Sequence, residues 1–199
     1  MVSIDREKYM DVGEVQQLRT VTEAKAIVDL KKGNVKGVTS WVLVDLALST
    51  GLRVQEIASL KIKDVDLKRG LLIVTRLKRK KKKTESLAIG KDLVNHLKEY
   101  IEWTGRTKGS LFKGQRGPLT AAGLQQMWKR SIKRAGLPKE LSIHSARHTI
   151  AVTLLKKTGN LRQVQKQLGH ASPSTTANMY ADVSFEDMQN GVNGLYDSP

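Results

Sequence analysis

Apolar residues recur at three- and four-residue spacing from Asp11 to Leu30, at Val12, Val15, Leu18, Val21, Ala24, Ile27 and Val28. That period predicts an amphipathic helix. Gly33 and Gly37 then break the pattern. Val38 to Ser49 is apolar on most faces (Trp41, Val42, Leu43, Val44, Leu46, Ala47, Leu48), so this helix belongs in the core and Gly51 ends it. A short helix follows from Arg53 to Leu60. Asp64 to Gly70 is turn-like, and Leu71-Leu72-Ile73-Val74-Thr75 has the β-branched, apolar character of a strand.

A second strand at Ser86 to Ile89 would make Arg76 to Glu85 the tip of a basic hairpin. Helix returns at Asp92 to Trp103. Thr120 can cap a further helix reaching Ala135, which Gly136 and Pro138 terminate. Ser145 to Lys157 and Leu161 to Leu168 continue the helical pattern. Ser172-Pro173-Ser174 opens a segment containing Tyr180, proline being suited to a first helical turn, and Phe185 to Gly191 can form one last short helix. The expected fold is mainly α with a small antiparallel β-sheet (α+β). There are no internal repeats and no linker rich in Pro, Gly or Ser, so one domain is expected.

Charge sharpens this picture. The 199 residues include 35 Lys and Arg against 19 Asp and Glu, a formal net charge of +16. Such an excess attracts polyanions, with nucleic acid first among them. The absence of cysteine excludes disulfides, thiolate nucleophiles and cysteine-ligated zinc. No apolar run reaches membrane-spanning length and Met1 to Met10 has no secretory h-region, so no membrane association is expected and the cytoplasm, in contact with DNA, is the expected compartment. No carboxylate cluster or His-rich spacing suggests a catalytic metal, and no cofactor is expected.

Candidate chemistry lies in four strings: Gly51-Leu52-Arg53-Val54-Gln55-Glu56, His144-Ser145-Ala146-Arg147-His148, Leu168-Gly169-His170, and Ser174-Thr175-Thr176-Ala177-Asn178-Met179-Tyr180. Attack on a phosphodiester needs a nucleophile, stabilisation of the phosphoryl oxygens and a proton for the leaving oxygen. A tyrosine hydroxyl, with a pKa of about 10, needs help to attack at neutral pH. The forked donors of Arg53 and Arg147 can hold non-bridging oxygens and remain cationic as negative charge builds. His144 enters a helix one turn before Arg147, and His170 follows a glycine that permits a sharp turn. Either imidazole can donate to a phosphoryl oxygen or accept the tyrosine proton.

This order and spacing resemble the catalytic domain of the tyrosine recombinases, the family of phage integrases and Xer-type recombinases, over roughly Tyr9 to Val183. Ala146 departs from the leucine usual there. The resemblance implies that Arg53, His144, Arg147 and His170 surround the scissile phosphate and that Tyr180 forms a 3′-phosphotyrosyl bond. It also implies a hairpin lysine as general acid to the 5′-oxygen; Lys78 is in the matching place, with Lys80 close enough to compete. Glu56 would support Arg53. Arg76, Arg79, Lys80, Lys81, Lys82 and Lys83 are expected to contact the DNA backbone, contributing affinity rather than sequence choice. Arg116, Lys129, Arg130, Lys133 and Arg134 are further phosphate-contact candidates. His148 is expected to be a structural hydrogen-bonding residue and His96 to face solvent.

The implied function is site-specific DNA recombination or integration without metal or ATP. The phosphotyrosyl bond would conserve the energy of the cleaved linkage. The implied partners are double-stranded DNA sites and a homotetramer assembled on them, with accessory DNA-bending proteins compatible with that scheme. Two other readings are a topoisomerase of the IB type, relaxing DNA without site preference, and a DNA-binding module that has kept only the fold. Residues 1–10 are expected to be an N-terminal extension or linker remnant and 11–183 the catalytic domain. Residues 184–199 would form a tail for exchange between protomers, anchored by Phe185, Met188, Val192 and Leu195. Family members usually carry a helical core-binding domain ahead of the catalytic one. Its absence here would correspond to an excised domain or a short natural member, and predicts weaker, salt-sensitive DNA binding.

Overall fold

A computed structural model describes residues 9–78 and 81–169, with Leu77, Lys78, Lys81 and Lys82 described by their backbone alone. The element order is α1 (Val12–Lys31), α2 (Val35–Thr50), α3 (Val54–Ser59), a 3-10 turn (Ile62–Asp64), β1 (Val65–Asp66), β2 (Leu71–Lys78), β3 (Lys81–Ala88), α4 (Lys91–Thr104), β4 (Lys113–Gly114), β5 (Gly117–Pro118), α5 (Ala121–Arg134), α6 (Ile143–Thr158) and α7 (Leu161–Leu168). The mainly helical expectation holds, with a three-stranded antiparallel sheet in the order β1-β2-β3 and a separate β4-β5 pair.

The apolar helix α2 is the centre of the fold and packs against α1, α4, α5 and α6. Val42, Leu43, Val44 and Leu46 have no exposed surface. Each such leucine or valine contributes roughly 1.5–3 kcal/mol relative to remaining in water. α1 is secured by a reciprocal cap: Asp11 Oδ1 accepts from the Glu14 backbone N–H at 2.8 Å, and Glu14 Oε2 accepts from the Asp11 N–H at 2.9 Å. Met10, just before it, is buried and donates its N–H to Thr149 Oγ1 of α6 at 2.9 Å.

Three sequence expectations change here. The buried face of α1 is Leu18, Thr22, Ala26 and Asp29, while Ile27 and Val28 are half-exposed. α1 packs closely on α2, and small side chains at the contact allow that approach better than the bulkier apolar set. Gly37 is inside α2 rather than a break in it. A Cβ at this position would lie 2.5 Å from Asp29 Oδ2, so glycine serves the α1–α2 approach. His96 faces solvent only in part: its ring packs at a tilt against Trp41 (centroids 4.5 Å apart) and its Nδ1 lies 2.8 Å from Asp45 Oδ2.

The hairpin strands are longer than expected. Pairing runs from Leu71↔Ala88 through Thr75↔Thr84 and Arg76↔Lys83 to Lys78↔Lys81, so the ladder continues into the lysine run. Backbone pairing does not depend on side-chain polarity, and the apolar start of β2 fixes the register. With period-two alternation, Leu72, Val74 and Arg76 all point inwards and are buried. Among the described residues, no helix is long and apolar enough to cross a membrane.

Candidate active site

Three local structures bring the site together. α2 ends at Gly51, whose φ of 64° is the left-handed cap that turns the chain into α3. Arg53 occupies the cap position of α3. Glu56, three residues on, accepts the Arg53 backbone N–H on Oε2 at 2.8 Å and pairs through Oε1 with Arg53 Nη1 at 3.3 Å. The Arg-x-x-Glu spacing thus closes a helix start and orients the arginine side chain with one carboxylate. Glu56 itself is buried, and the Arg53 side chain is 45% exposed, leaving its outer edge open.

The second structure is the start of α6. Ser142 caps it, accepting the His144 N–H at 3.2 Å, and Ser145 Oγ accepts the Ser142 N–H at 3.1 Å. The segment before the cap is held by Trp128 of α5, whose indole N–H donates to the Leu141 carbonyl at 2.9 Å. His144 is exposed at the helix entrance, with the half-buried His148 ring edge-on to it at 4.8 Å. Arg147, one turn along, points into the protein and is buried: Nη1 donates to the Gly51 carbonyl at 2.7 Å and Nη2 to the Leu168 carbonyl at 2.8 Å. Those bonds tie α6 to the α2–α3 turn and to the end of α7, the third structure.

An open cleft of about 380 Å³ lies between the start of α3, the start of α6 and α5, lined by Arg53, Gln55 and His144, with Gln125 and Lys129 from α5. The cleft is electropositive. Although its outer edge is exposed, partial desolvation in the cleft lowers the His144 pKa below 6.5, and the charges of Arg147 and Arg53 lower it further, so the neutral ring is favoured at neutral pH. Burial lowers Arg147 to about 10, and Arg53 and Arg76 add to the effect while Glu56 opposes it. Arg147 is therefore a desolvated cation crowded by other cations, an arrangement that an anion relieves. The fork of Arg53 and the neutral His144 ring line the cleft and can hold an anion there, with the charge of the buried Arg147 one helical turn from His144.

The placement of the other candidates is mixed. His170 and Tyr180 lie outside the described residues, as do Arg79, Lys80 and the 184–199 tail. Lys78, Lys81 and Lys82 lie on the paired strands at the hairpin end. Lys83 is exposed, with its Nζ 3.3 Å from Glu85 Oε1. Arg116, Lys129, Arg130, Lys133 and Arg134 are all exposed. Arg76, expected on the DNA backbone, is corrected: it is 1% exposed. Its donors go to the Leu168 carbonyl (2.6 Å) and the Gln167 carbonyl (3.0 Å), and its Nε forms a close ion pair, off the N–H direction, with Glu85 Oε2 at 2.9 Å. The inward register of β2 explains the change. Gln125 was missed by sequence reasoning. Its available signal was a position one helical turn before Lys129, on the α5 face that meets Arg53 and His144.

Fold and cleft together define a class: a basic, mainly helical domain with an electropositive cleft where α3, α5 and the start of α6 meet. The chain belongs to the phage integrase family, whose model matches residues 13–187. Tyrosine recombinase XerD of Staphylococcus saprophyticus subsp. saprophyticus is 29% identical over 197 residues, covering 95% of this chain and 63% of the relative. Among solved structures, XerA recombinase superposes with a TM-score of 0.78 at 24% identity, over 96% of this chain and 64% of that one. XerH site-specific recombinase, bound to difH substrate in a pre-cleavage complex, superposes with a TM-score of 0.69 at 27% identity, over 87% of this chain and 50% of that one. The chain thus spans less than two thirds of the length of each of these relatives.

Proposed function

We propose that this chain carries the strand-cleaving and strand-joining chemistry of a site-specific DNA recombinase. The observation that carries the reading is the meeting of the α3 start with the α6 start at one electropositive cleft, lined by Arg53 and His144, with the buried Arg147 one turn along α6 from His144. In this scheme Arg53 and Arg147 hold the non-bridging oxygens of the scissile phosphate, and His144 donates to one of them as a neutral ring. The Tyr180 oxygen attacks phosphorus and loses its proton to a nearby base, with His170 a candidate. The bond from phosphorus to the 5′-oxygen breaks, and Lys78 gives that oxygen its proton. Attack by a 5′-hydroxyl on the 3′-phosphotyrosyl linkage reverses these transfers and reseals a strand.

Double-stranded DNA is the substrate, with the hairpin lysines and Lys129 as backbone contacts and four protomers on paired sites as the working assembly. The cytoplasm, where such DNA is accessible, is the expected compartment. Membership of the phage integrase family and likeness to a recombinase bound to its DNA substrate support this reading.

Covalent trapping tests it. The protein and its Tyr180→Phe form are incubated with fragmented DNA from the source cell in the presence of a metal chelator, quenched with denaturant, and the protein-linked 3′ ends are sequenced. Adducts that require Tyr180 and map to a few sites are expected. Tyr180-dependent adducts scattered without site preference would replace recombination with DNA relaxation, and adducts surviving in Tyr180→Phe would remove the assigned nucleophile.

A further inference from the structure

Arg76 is the buried cation that DNA contact does not explain. Its Nη1 is 3.5 Å from Glu56 Oε1, the same oxygen that pairs with Arg53 Nη1 at 3.3 Å. The Leu168 carbonyl that accepts Arg76 Nη1 at 2.6 Å also accepts Arg147 Nη2 at 2.8 Å. Arg76 therefore shares one acceptor oxygen with Arg53 of the cleft and one with the buried Arg147. We propose that Arg76 is a positioning residue for strand cleavage: it fixes Arg53 and Arg147 relative to each other and to the lysine-bearing hairpin, without itself touching DNA. The inference rests on the function proposed above.

Charge makes the role specific. Arg53, Arg76 and Arg147 stand against the buried Glu56 and against Glu85, which Lys83 also pairs, so the cluster is net cationic and suited to a phosphodiester. With Arg76 removed, the buried Glu56 would lose the cation it shares with Arg53. Glu56 would then compete with phosphate for Arg53 and Arg147. Arg76 weakens that competition by sharing Glu56 Oε1 with Arg53 and by pairing with Glu85. A planar fork is required, because its donors must reach the last carbonyls of α7 on one side and the carboxylates on the other. Those carbonyls lie at the negative end of the helix and favour a cation there.

The chain is shaped around this guanidinium. Gly169 caps α7 with a φ of 65°, and a Cβ there would lie 2.6 Å from Arg76 Cδ and clash with Cζ and Nε as well. The turn leading to His170 in sequence thus needs glycine for room as well as for its backbone conformation. β2, which ends at Lys78 two residues later in sequence, is fastened to α7 by the same side chain.

The test compares the unaltered protein with Arg76→Met and Arg76→Lys in single-turnover cleavage of a duplex bearing a site found by adduct mapping. The scissile position carries either a phosphodiester or an uncharged methylphosphonate. A partly unfolded variant loses reaction amplitude. A mispositioned site loses rate constant at full amplitude. Arg76→Met is expected to slow the phosphodiester roughly ten- to a hundredfold, the usual effect of removing a supporting partner of a reactive group, with duplex Kd changed less than about threefold. On methylphosphonate, which needs less cationic stabilisation, its loss should stay below about threefold. Arg76→Lys should fall between. Equal slowing on both substrates, a loss confined to amplitude, or an unchanged rate constant would overturn the proposal. Should Arg76→Met fail to fold, Arg76→Lys decides it by the same readings. If the unaltered protein forms no adduct, or Tyr180→Phe still forms one, the recombinase reading itself fails and this inference falls with it.

Discussion

Gly51 and Gly159 both end helices in the left-handed conformation, with φ of 64° and 60°, but only one is sterically enclosed. A Cβ on Gly51 would lie 2.6 Å from Leu168 Cδ2 and closer still to Ile150 Cγ2, whereas nothing lies within 4 Å of one on Gly159. Alanine at either position carries the left-handed penalty, about 1–2 kcal/mol. At Gly51 it must also push apart the α6–α7 contact, adding about 1–3 kcal/mol for overpacking. For a domain of this size each kcal/mol moves Tm by roughly 2–4 °C. Gly159→Ala should therefore melt about 2–8 °C below the unaltered protein, and Gly51→Ala should melt at least a further 2 °C or so lower.

The two variants also separate functionally. The Gly51 carbonyl accepts from Arg147 at 2.7 Å, so a backbone shift there moves the buried arginine. Gly51→Ala should slow single-turnover strand cleavage at a temperature where it is fully folded, and Gly159→Ala should leave the rate unchanged. Thermal melts followed by circular dichroism, with urea titrations to verify an unchanged m value, measure the first effect. Equal melting temperatures for the two variants would refute the enclosure argument.

Other outcomes follow from the same geometry. Trp128→Phe removes the donor to the buried Leu141 carbonyl and should destabilise the protein by about 1–3 kcal/mol, read as a lower urea midpoint. It should also loosen the Ser142 cap, measurable as faster amide exchange at the start of α6. His144 titrates below 6.5 in the folded protein because of burial and the neighbouring arginines. The unfolded chain therefore binds the proton first as pH falls, so this contribution is fully present above pH 6.5 and is lost on descending towards the folded pKa. Stability measured across that window should decline with acidification, and His144→Gln should flatten that part of the profile; an unaltered profile would contradict the assignment.

Much of the fold was legible because local rules agree with the global one. Thr120 and the glycines after α2, α6 and α7 mark helix ends through bonds made within a few residues, so their chemistry is visible in the sequence, whereas α6 begins at Ile143 behind a Ser142 cap, ahead of the expected start at Ser145. The candidate site was legible in part for the same reason. Arg53 and Glu56 meet within one helical turn, and His144 and Arg147 share another. The α1 face was misread because several apolar stripes fit one helix, and only the presence of α2 selects among them.

What tertiary structure alone decided is the fate of Arg76, which in sequence is the first basic residue of a cationic stretch. Its surroundings come from Glu56, twenty positions earlier, and from carbonyls more than ninety positions later. The β2–β3 register turns it inwards, and the α7 terminus supplies the acceptors that make a buried guanidinium tolerable. The sequence by itself determined a basic helical protein and the residues able to hold a phosphate, because composition, caps and short spacings are local properties. Which cations face solvent and which brace the others depends on long-range packing, since desolvation and hydrogen-bond partners exist only once distant segments meet.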